Sequence, residues 1–227
     1  MNSVMISIQP KWCELILSGK KTAEVRKTIP AGAKEGVLEE PFKCFIYCTS
    51  VKSLNLKDYV ELHKVTGGAI DDWSGMVIGE FMCNGIYHVC YTMDGFADMI
   101  DCNTTCMKPS EFIKYGKGKR LYKWYISQLK VYDKPKDLSA FCYPPEKYCE
   151  KELCGGCPYE EVPNQYGEYE NDCDWERPLQ RAPQSWCYVQ EITARQSESR
   201  DRQQKESRDY YRLFGGIENL LSAEDKV

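Results

Sequence analysis

The chain is poor in histidine and has no long apolar run. Two histidines stand among 227 residues, and neither His63 nor His88 has neighbours at metal-ligand spacing. His63 reads as a surface or structural residue. His88, on a strand-like segment, reads as a satisfied core or rim histidine rather than a catalyst. No basic segment followed by an apolar run opens the chain, and no stretch nears the roughly 20 residues that cross a bilayer. This predicts a cytoplasmic protein without a membrane partner. A phosphate-binding P-loop is missing, because the glycines near Lys20 and Lys21 have neither its number nor its spacing. No internal repeat is evident. Basic excess is absent too. The formal net charge of −4 argues against indiscriminate binding to a nucleic-acid backbone, but leaves room for a local basic groove.

Cysteine, by contrast, is abundant, with 13 residues. In a reducing compartment they are not a disulfide framework. Cys44, Cys48, Cys83, Cys90 and Cys187 sit in apolar strand-like runs, where a thiol acts as a small hydrophobe. Between Phe141 and Trp175 the composition turns acidic and turn-rich, and Cys149, Cys154, Cys157 and Cys173 appear. Cys154-Gly-Gly-Cys157 is a two-residue knuckle whose glycines let both sulfurs approach one ion. Cys149 and Cys173 would complete a tetrahedron around a structural zinc. Such an ion would order a loop with little core of its own and leave no open catalytic position. Two alternatives stand beside it: unligated reduced cysteines, and a redox Cys-x-x-Cys pair, for which no thioredoxin-like context is present.

A chain of this length holds one good core with appendages. Met5–Ile8 is strand-like. Pro10 suits a first helical turn, and Trp12, Leu15 and Ile16 follow at helical spacing, with Gly19 as the terminating glycine. Phe42–Cys48 reads as a buried strand, Leu54–Val65 as a helix ended by Gly67 and Gly68, and Met76–Cys83 as the start of a long strand with a bulge at Gly85. Thr92–Lys108 reads as irregular. Pro109 opens a helix to about Tyr115, Leu121–Tyr132 is a strand, and Pro183–Glu191 is a last strand. Arg195–Arg212 is almost devoid of apolar residues and reads as a solvated helix or disordered linker. The short apolar end around Leu213–Leu221 could dock on this chain or on a protein partner.

Two stretches carry candidate chemistry. In Ser18-Gly19-Lys20-Lys21-Thr22-Ala23-Glu24-Val25-Arg26-Lys27 the chain turns at a glycine and then extends. Thr22, Glu24 and Arg26 share one face by alternation, while Ala23 and Val25 face the core. Lys20, Lys21 and Thr22 could hold a phosphate, a carbonyl or a base edge. The plain alternative is an amphipathic strand with solvated, paired charges. The second stretch, between Glu111 and Asp133, contains no acidic residue. There Lys117, Lys119, Arg120 and Lys123 lie among Tyr122, Trp124 and Tyr125, a pattern that can contact phosphates while aromatics stack on bases. Solvated lysines beside inward-packed aromatics would give the same pattern.

Ile6 to Lys27 resembles the opening motif of ASCH-domain proteins, in the PUA-like superfamily of small β-barrels. Val77-Ile-Gly-Glu-Phe81, Leu121–Tyr132 and Pro183-Gln-Ser-Trp-Cys-Tyr188 fit the same pattern. The resemblance covers about residues 4–191. It implies an α+β fold: a mixed β-barrel with short flanking helices. A cysteine-rich insertion at about 142–182 and a polar tail at 192–227 would lie outside the family pattern. It also implies a cleft beside the glycine-lysine turn that binds RNA or a modified nucleobase or nucleoside. One ASCH branch hydrolyses the amide of 4-acetylcytidine. Its catalytic lysine falls on Lys21, and its threonine falls on Glu24, which is a departure. Its catalytic glutamate has no clear counterpart beyond Glu80. Three functions follow: a binding module, with Lys20, Lys21, Thr22, Glu24 and Arg26 as its contacts; an amidohydrolase, with Lys21 as base or nucleophile and Glu24 as proton shuttle; and a protein-interaction scaffold. Pairing with Glu24 is expected to keep Lys21 a cation.

Overall fold

The computed structural model describes residues 3–90, 99–144 and 179–192. Cys149, Cys154, Cys157 and Cys173, and the tail beyond residue 192, lie outside the described residues. The chain divides into two units, Met1–Gln190 and Glu191–Val227, and the fold described below is that of the first.

Seven strands form one mixed sheet: β1 (Ser3–Ile8), β2 (Ala23–Arg26), β3 (Gly36–Cys48), β4 (Val77–His88), β5 (Tyr122–Lys136), β6 (Phe141–Cys142) and β7 (Trp186–Glu191), in the order β2-β5-β4-β3-β1-β7-β6. The helices are short: α1 (Pro10–Leu17), α2 (Leu56–Val65), α3 (Ile70–Trp73), α4 (Met99–Thr105) and α5 (Pro109–Gly116). β1 and β3 run parallel, with Val4 opposite Cys44 and Ile8 opposite Cys48. Parallel neighbours need a crossover, and here it contains α1 and the whole of β2. That detour carries β2 to the far edge of the sheet, antiparallel to β5, with Glu24 opposite Trp124 and Arg26 opposite Tyr122.

The described strands pair in linear order, with no ladder closing β2 onto β6. The sheet nevertheless curls. Four strand spacings would put β2 about 19 Å from β1 in a flat sheet, yet Arg26 Nη2 donates to the Ser7 carbonyl of β1 at 2.8 Å. The indoles of Trp124 on β5 and Trp186 on β7 lie 5.9 Å apart. Inside the curl is the main core: Val4, Ile6 and Ile8 of β1, Cys13 and Ile16 of α1, Phe42, Cys44 and Ile46 of β3, Phe81 and Cys83 of β4, and Trp124. Met5, Phe45, Val77 and Val189 pack on the opposite face with Phe141 and Leu179. Both faces of β1 are therefore covered, which is why apolar residues stand at the successive positions Val4, Met5 and Ile6. A third cluster joins Val25 and Leu121 to Phe112 of α5 and Met107.

Local chemistry explains most boundaries. Pro10 occupies the first turn of α1. Asn55 caps α2 by accepting from the Asp58 amide at 2.9 Å. Gly85 lies in the register shift between Cys83 and Ile86. Three expectations need correction. The first strand after the loop begins at Gly36 rather than Phe42, because its early residues pair with Gly85 and Ile86 across the bulge. Leu54 is extended and the helix starts at Leu56. Part of the stretch read as irregular, Met99–Thr105, is α4. Among the described residues no helix is long and apolar enough to cross a membrane.

Candidate functional site

The glycine turn after α1 sets the site. Gly19 has φ +74°, a left-handed conformation that suits glycine. The reversal brings the Lys21 amide onto the Leu15 carbonyl at 2.8 Å and sends the Lys21 side chain inward. There it meets the C-terminal end of α4. The last carbonyls of a helix have no partner within the helix, and that end is electronegative. Lys21 Nζ donates to the Thr105 carbonyl at 2.7 Å, and the Thr22 amide donates to the Thr104 carbonyl at 2.8 Å. Asp101 anchors α4 from the other side. Its carboxylate pairs with the Lys123 ammonium and accepts from the Cys90 amide at 2.7 Å.

Lys21, Glu24 and Arg26 form a buried row. Their side chains are only 1%, 7% and 7% exposed. Glu24 lies between the two cations, with Oε2 3.3 Å from Lys21 Nζ and Oε1 3.2 Å from Arg26 Nη2. The Trp12 ring closes over Lys21, its centroid 4.9 Å from Nζ. One carboxylate thus serves two cations, and with Lys21 protonated the row holds an uncompensated positive charge. The nearby Cys13 thiol does not offset it, since burial, reinforced by Cys48, pushes that thiol well above its ordinary range. Among the described residues, three buried polar atoms on this face make no hydrogen bond: Glu24 Oε2, Arg26 Nε and Trp124 Nε1. The 3.3 Å approach of Lys21 to Glu24 Oε2 is an ion-pair contact without hydrogen-bond geometry.

Burial lowers the Lys21 pKa from the ordinary lysine value. Glu24 opposes this by attraction and Arg26 adds to it by repulsion, and the net shift is downward. Desolvation thus outweighs the pairing with Glu24 in the direction of the shift. Glu24 shares its charge with Arg26, while the ammonium loses nearly all its water.

The remaining candidates separate. Lys20 is exposed and 3.7 Å from Glu14. Thr22 is exposed beside Thr104. Lys117, Lys119 and Arg120 are exposed, and Arg120 pairs with Glu35 at 3.2 Å. Lys123 is buried on Asp101, so its charge is spent inside the fold rather than offered to a phosphate. Trp124 is fully buried, edge-on to Phe42 with centroids 5.7 Å apart, and has no open ring face for a base. Its half-buried neighbour Tyr125 packs edge to face with exposed Tyr87 at 5.6 Å in a groove with Val37, Asn84 and Gly85. Glu80 faces away from the row. It is opposite Phe45 in the β3–β4 ladder, on the face of the second core cluster, and pairs with Lys43 at 3.3 Å. Among the described residues no cluster of three or more His, Cys, Asp or Glu could hold a metal. Sequence reasoning missed Thr105, Asp101 and Trp12, which hold or cover this site. The first two lie in or next to a helix with no apolar period to announce it.

No protein-family model matches the chain, and comparison with curated proteins gives no match. Solved structures do. Two substituted forms of an ASCH protein from Zymomonas mobilis have TM-scores of 0.42 and 0.43 at 14% and 15% identity. They cover 88% and 87% of this chain and 96% and 93% of theirs. The unsubstituted protein, described as ASCH from Zymomonas mobilis, has a TM-score of 0.44 at 14% identity over 87% of this chain and 92% of its own.

Proposed function

We propose that this chain recognises RNA, or a modified nucleobase or nucleoside, at the Lys21–Glu24–Arg26 row beside the Gly-Lys-Lys-Thr turn. The observation that carries this reading is the row's electrostatic imbalance: two desolvated cations share one carboxylate, next to an acceptor and two donors without hydrogen bonds. Buried polar groups are normally satisfied, and a buried net charge is costly unless paired. A planar ligand presenting a carbonyl and an amino group would meet the first need, with the carbonyl toward Lys21 or Arg26 and the amino group toward Glu24. In this reading the curled sheet is the PUA-like barrel of the family resemblance, and the cysteine-rich segment is an insertion before its last strand. Exposed Lys117, Lys119 and Arg120 would meet phosphates, in a cytoplasmic setting.

The test is calorimetric titration of natural and modified nucleosides and short RNAs into the natural chain and Lys21→Ala. Loss of a charge-assisted hydrogen bond should weaken binding by about 1.5–3 kcal/mol. Equal affinity for both proteins, or no binding of any nucleoside or RNA, overturns the reading.

The near-complete burial of Lys21 3.3 Å from Glu24 favours a second reading, an amidohydrolase acting on an acylated nucleoside such as 4-acetylcytidine. A neutral amine could act there as base or nucleophile, with Glu24 passing the proton on. Release of acetate from 4-acetylcytidine, lost in Lys21→Ala, would establish it. Absence of release by the natural chain would eliminate it. The third role, docking of a protein through the tail from residue 192, would be tested by partner capture with and without those residues. Capture that is unchanged by their removal eliminates it. On sequence grounds, a structural zinc on Cys149, Cys154, Cys157 and Cys173 is proposed as well. Elemental analysis of chain purified without added metal should find one zinc per chain, and a metal-free protein sinks the idea.

A further inference from the structure

At the end of β4, outside the buried row, four side chains of alternating character meet. Cys90 Sγ lies 3.9 Å from His88 Nε2. The other ring nitrogen, Nδ1, lies 2.9 Å from Glu35 Oε2. Glu35 Oε1 in turn lies 3.2 Å from Arg120 Nη2. These residues come from three segments: the end of β4, the loop before β3, and the turn before β5. The arrangement is a nucleophile, a base on it, and a carboxylate that orients the base, the geometry that activates a side-chain nucleophile.

We propose that Cys90 is a reactive thiol, activated by His88 and held in place by Glu35, that takes small electrophiles, with hydrogen peroxide as the chemical class it would meet in a cell. Glu35 accepts from Nδ1–H, which leaves Nε2 as the acceptor facing the thiol. Transfer of the thiol proton to Nε2 gives a chain of thiolate, imidazolium, carboxylate and guanidinium. Each charge then lies next to its opposite, and Arg120 keeps Glu35 from destabilising the thiolate through the ring. With peroxide, the sulfur attacks one oxygen, an S–O bond forms and the O–O bond breaks. The departing hydroxide takes the proton from His88 and leaves as water. Cysteine is oxidised to sulfenic acid and peroxide is reduced.

The surroundings single this thiol out. Among the nine described free cysteines, Cys90 is the exposed one. Burial holds the thiols of Cys13 and Cys44 well above their ordinary range and pushes Cys83 up to about 12. Cys106, half-buried, is directed onto the Lys20 carbonyl. The backbone of Cys90 is fixed, because its amide donates to buried Asp101. Among the described residues, the charged and titratable groups around the pair from each packed element are Glu35, Arg120, Tyr122 opposite His88 in the ladder, and Asp101 with its Lys123 partner.

The experiment is time-resolved alkylation of the full native chain with iodoacetamide, an uncharged probe, with each cysteine followed by peptide mass spectrometry. Here the sulfur displaces iodide from the methylene carbon and His88 keeps the thiol proton. Cys90 should be modified before the eight other described cysteines. His88→Gln should slow Cys90 about tenfold at pH 7 and leave Cys187 unchanged. An unchanged Cys187 rate also shows that the variant is folded. Dimedone trapping after peroxide treatment should mark the same residue. A Cys90 rate no faster than in urea-unfolded chain, or indifference to His88→Gln, overturns the proposal.

Discussion

Substitution of Glu24 by glutamine probes the energetic structure of the buried row. The natural side chain divides its charge between Lys21 at 3.3 Å and Arg26 at 3.2 Å. Glutamine keeps the shape and removes the charge, so two cations stay buried with no carboxylate between them. Breaking a buried ion pair by removing one partner costs about 3–5 kcal/mol. For a domain of this size that is a fall in Tm of about 6–20 °C. The loss should also depend on pH, with a sign fixed by Lys21. Its folded pKa already lies below the ordinary 10.5, and loss of Glu24, the main influence raising it, depresses it further. Between the depressed value and 10.5 the unfolded chain binds more protons than the folded one, so stability rises with pH across that window. The deficit of Glu24→Gln should therefore be larger at pH 7 than at pH 10. Lys21→Met in the same background removes one stranded cation and should recover about 1–3 kcal/mol, the coupling expected of residues in contact. Urea unfolding of the four proteins of this cycle at both pH values is the assay. A single-variant loss below about 1 kcal/mol, strict additivity, or a deficit that grows with pH would refute the reasoning.

Asp101→Asn should be as damaging, by about 3–5 kcal/mol in the free energy of urea unfolding, because it strands the buried Lys123 ammonium on β5; a loss under about 1 kcal/mol would show that this pair is not held in solution. Gly79→Ala should cost about 1–3 kcal/mol through overpacking, since a Cβ there would stand 2.6 Å from the Lys130 carbonyl of β5, and unchanged stability would mean that β4 and β5 can separate freely. Gly19→Ala meets nothing within 4 Å but forces alanine to φ +74°; the expected cost is about 1–2 kcal/mol, and an unaltered denaturation midpoint would count against the left-handed turn that places Lys21.

What was legible in the sequence was local. Pro10, the helical spacing of Trp12, Leu15 and Ile16, and Gly19 define α1 and its end through sterics that act within one or two turns. Alternation placed Glu24 and Arg26 on one face of β2, and the structure keeps them there, because side chains in a strand must alternate. The same rule placed Ala23 and Val25 toward apolar surroundings, and both are buried.

Alternation cannot say whether a face meets water, and here that decided the chemistry. The polar face of β2 read equally well as a solvated rim. It is buried because β2 crosses to the β5 edge and the sheet curls until Arg26 reaches Ser7, a contact between residues 19 apart in sequence. Lys123 and Trp124 read as a basic and stacking surface for the same reason, yet one is sealed under Asp101 and the other lies in the main core. α4 was illegible because it is short, polar and lacks an apolar period, and its place is fixed by the buried Asp101–Lys123 pair rather than by helix propensity. The sequence by itself determined which residues would share a face. Only the tertiary structure decided which faces lose their water, because desolvation depends on what distant segments cover, and it is desolvation that lowers the Lys21 pKa.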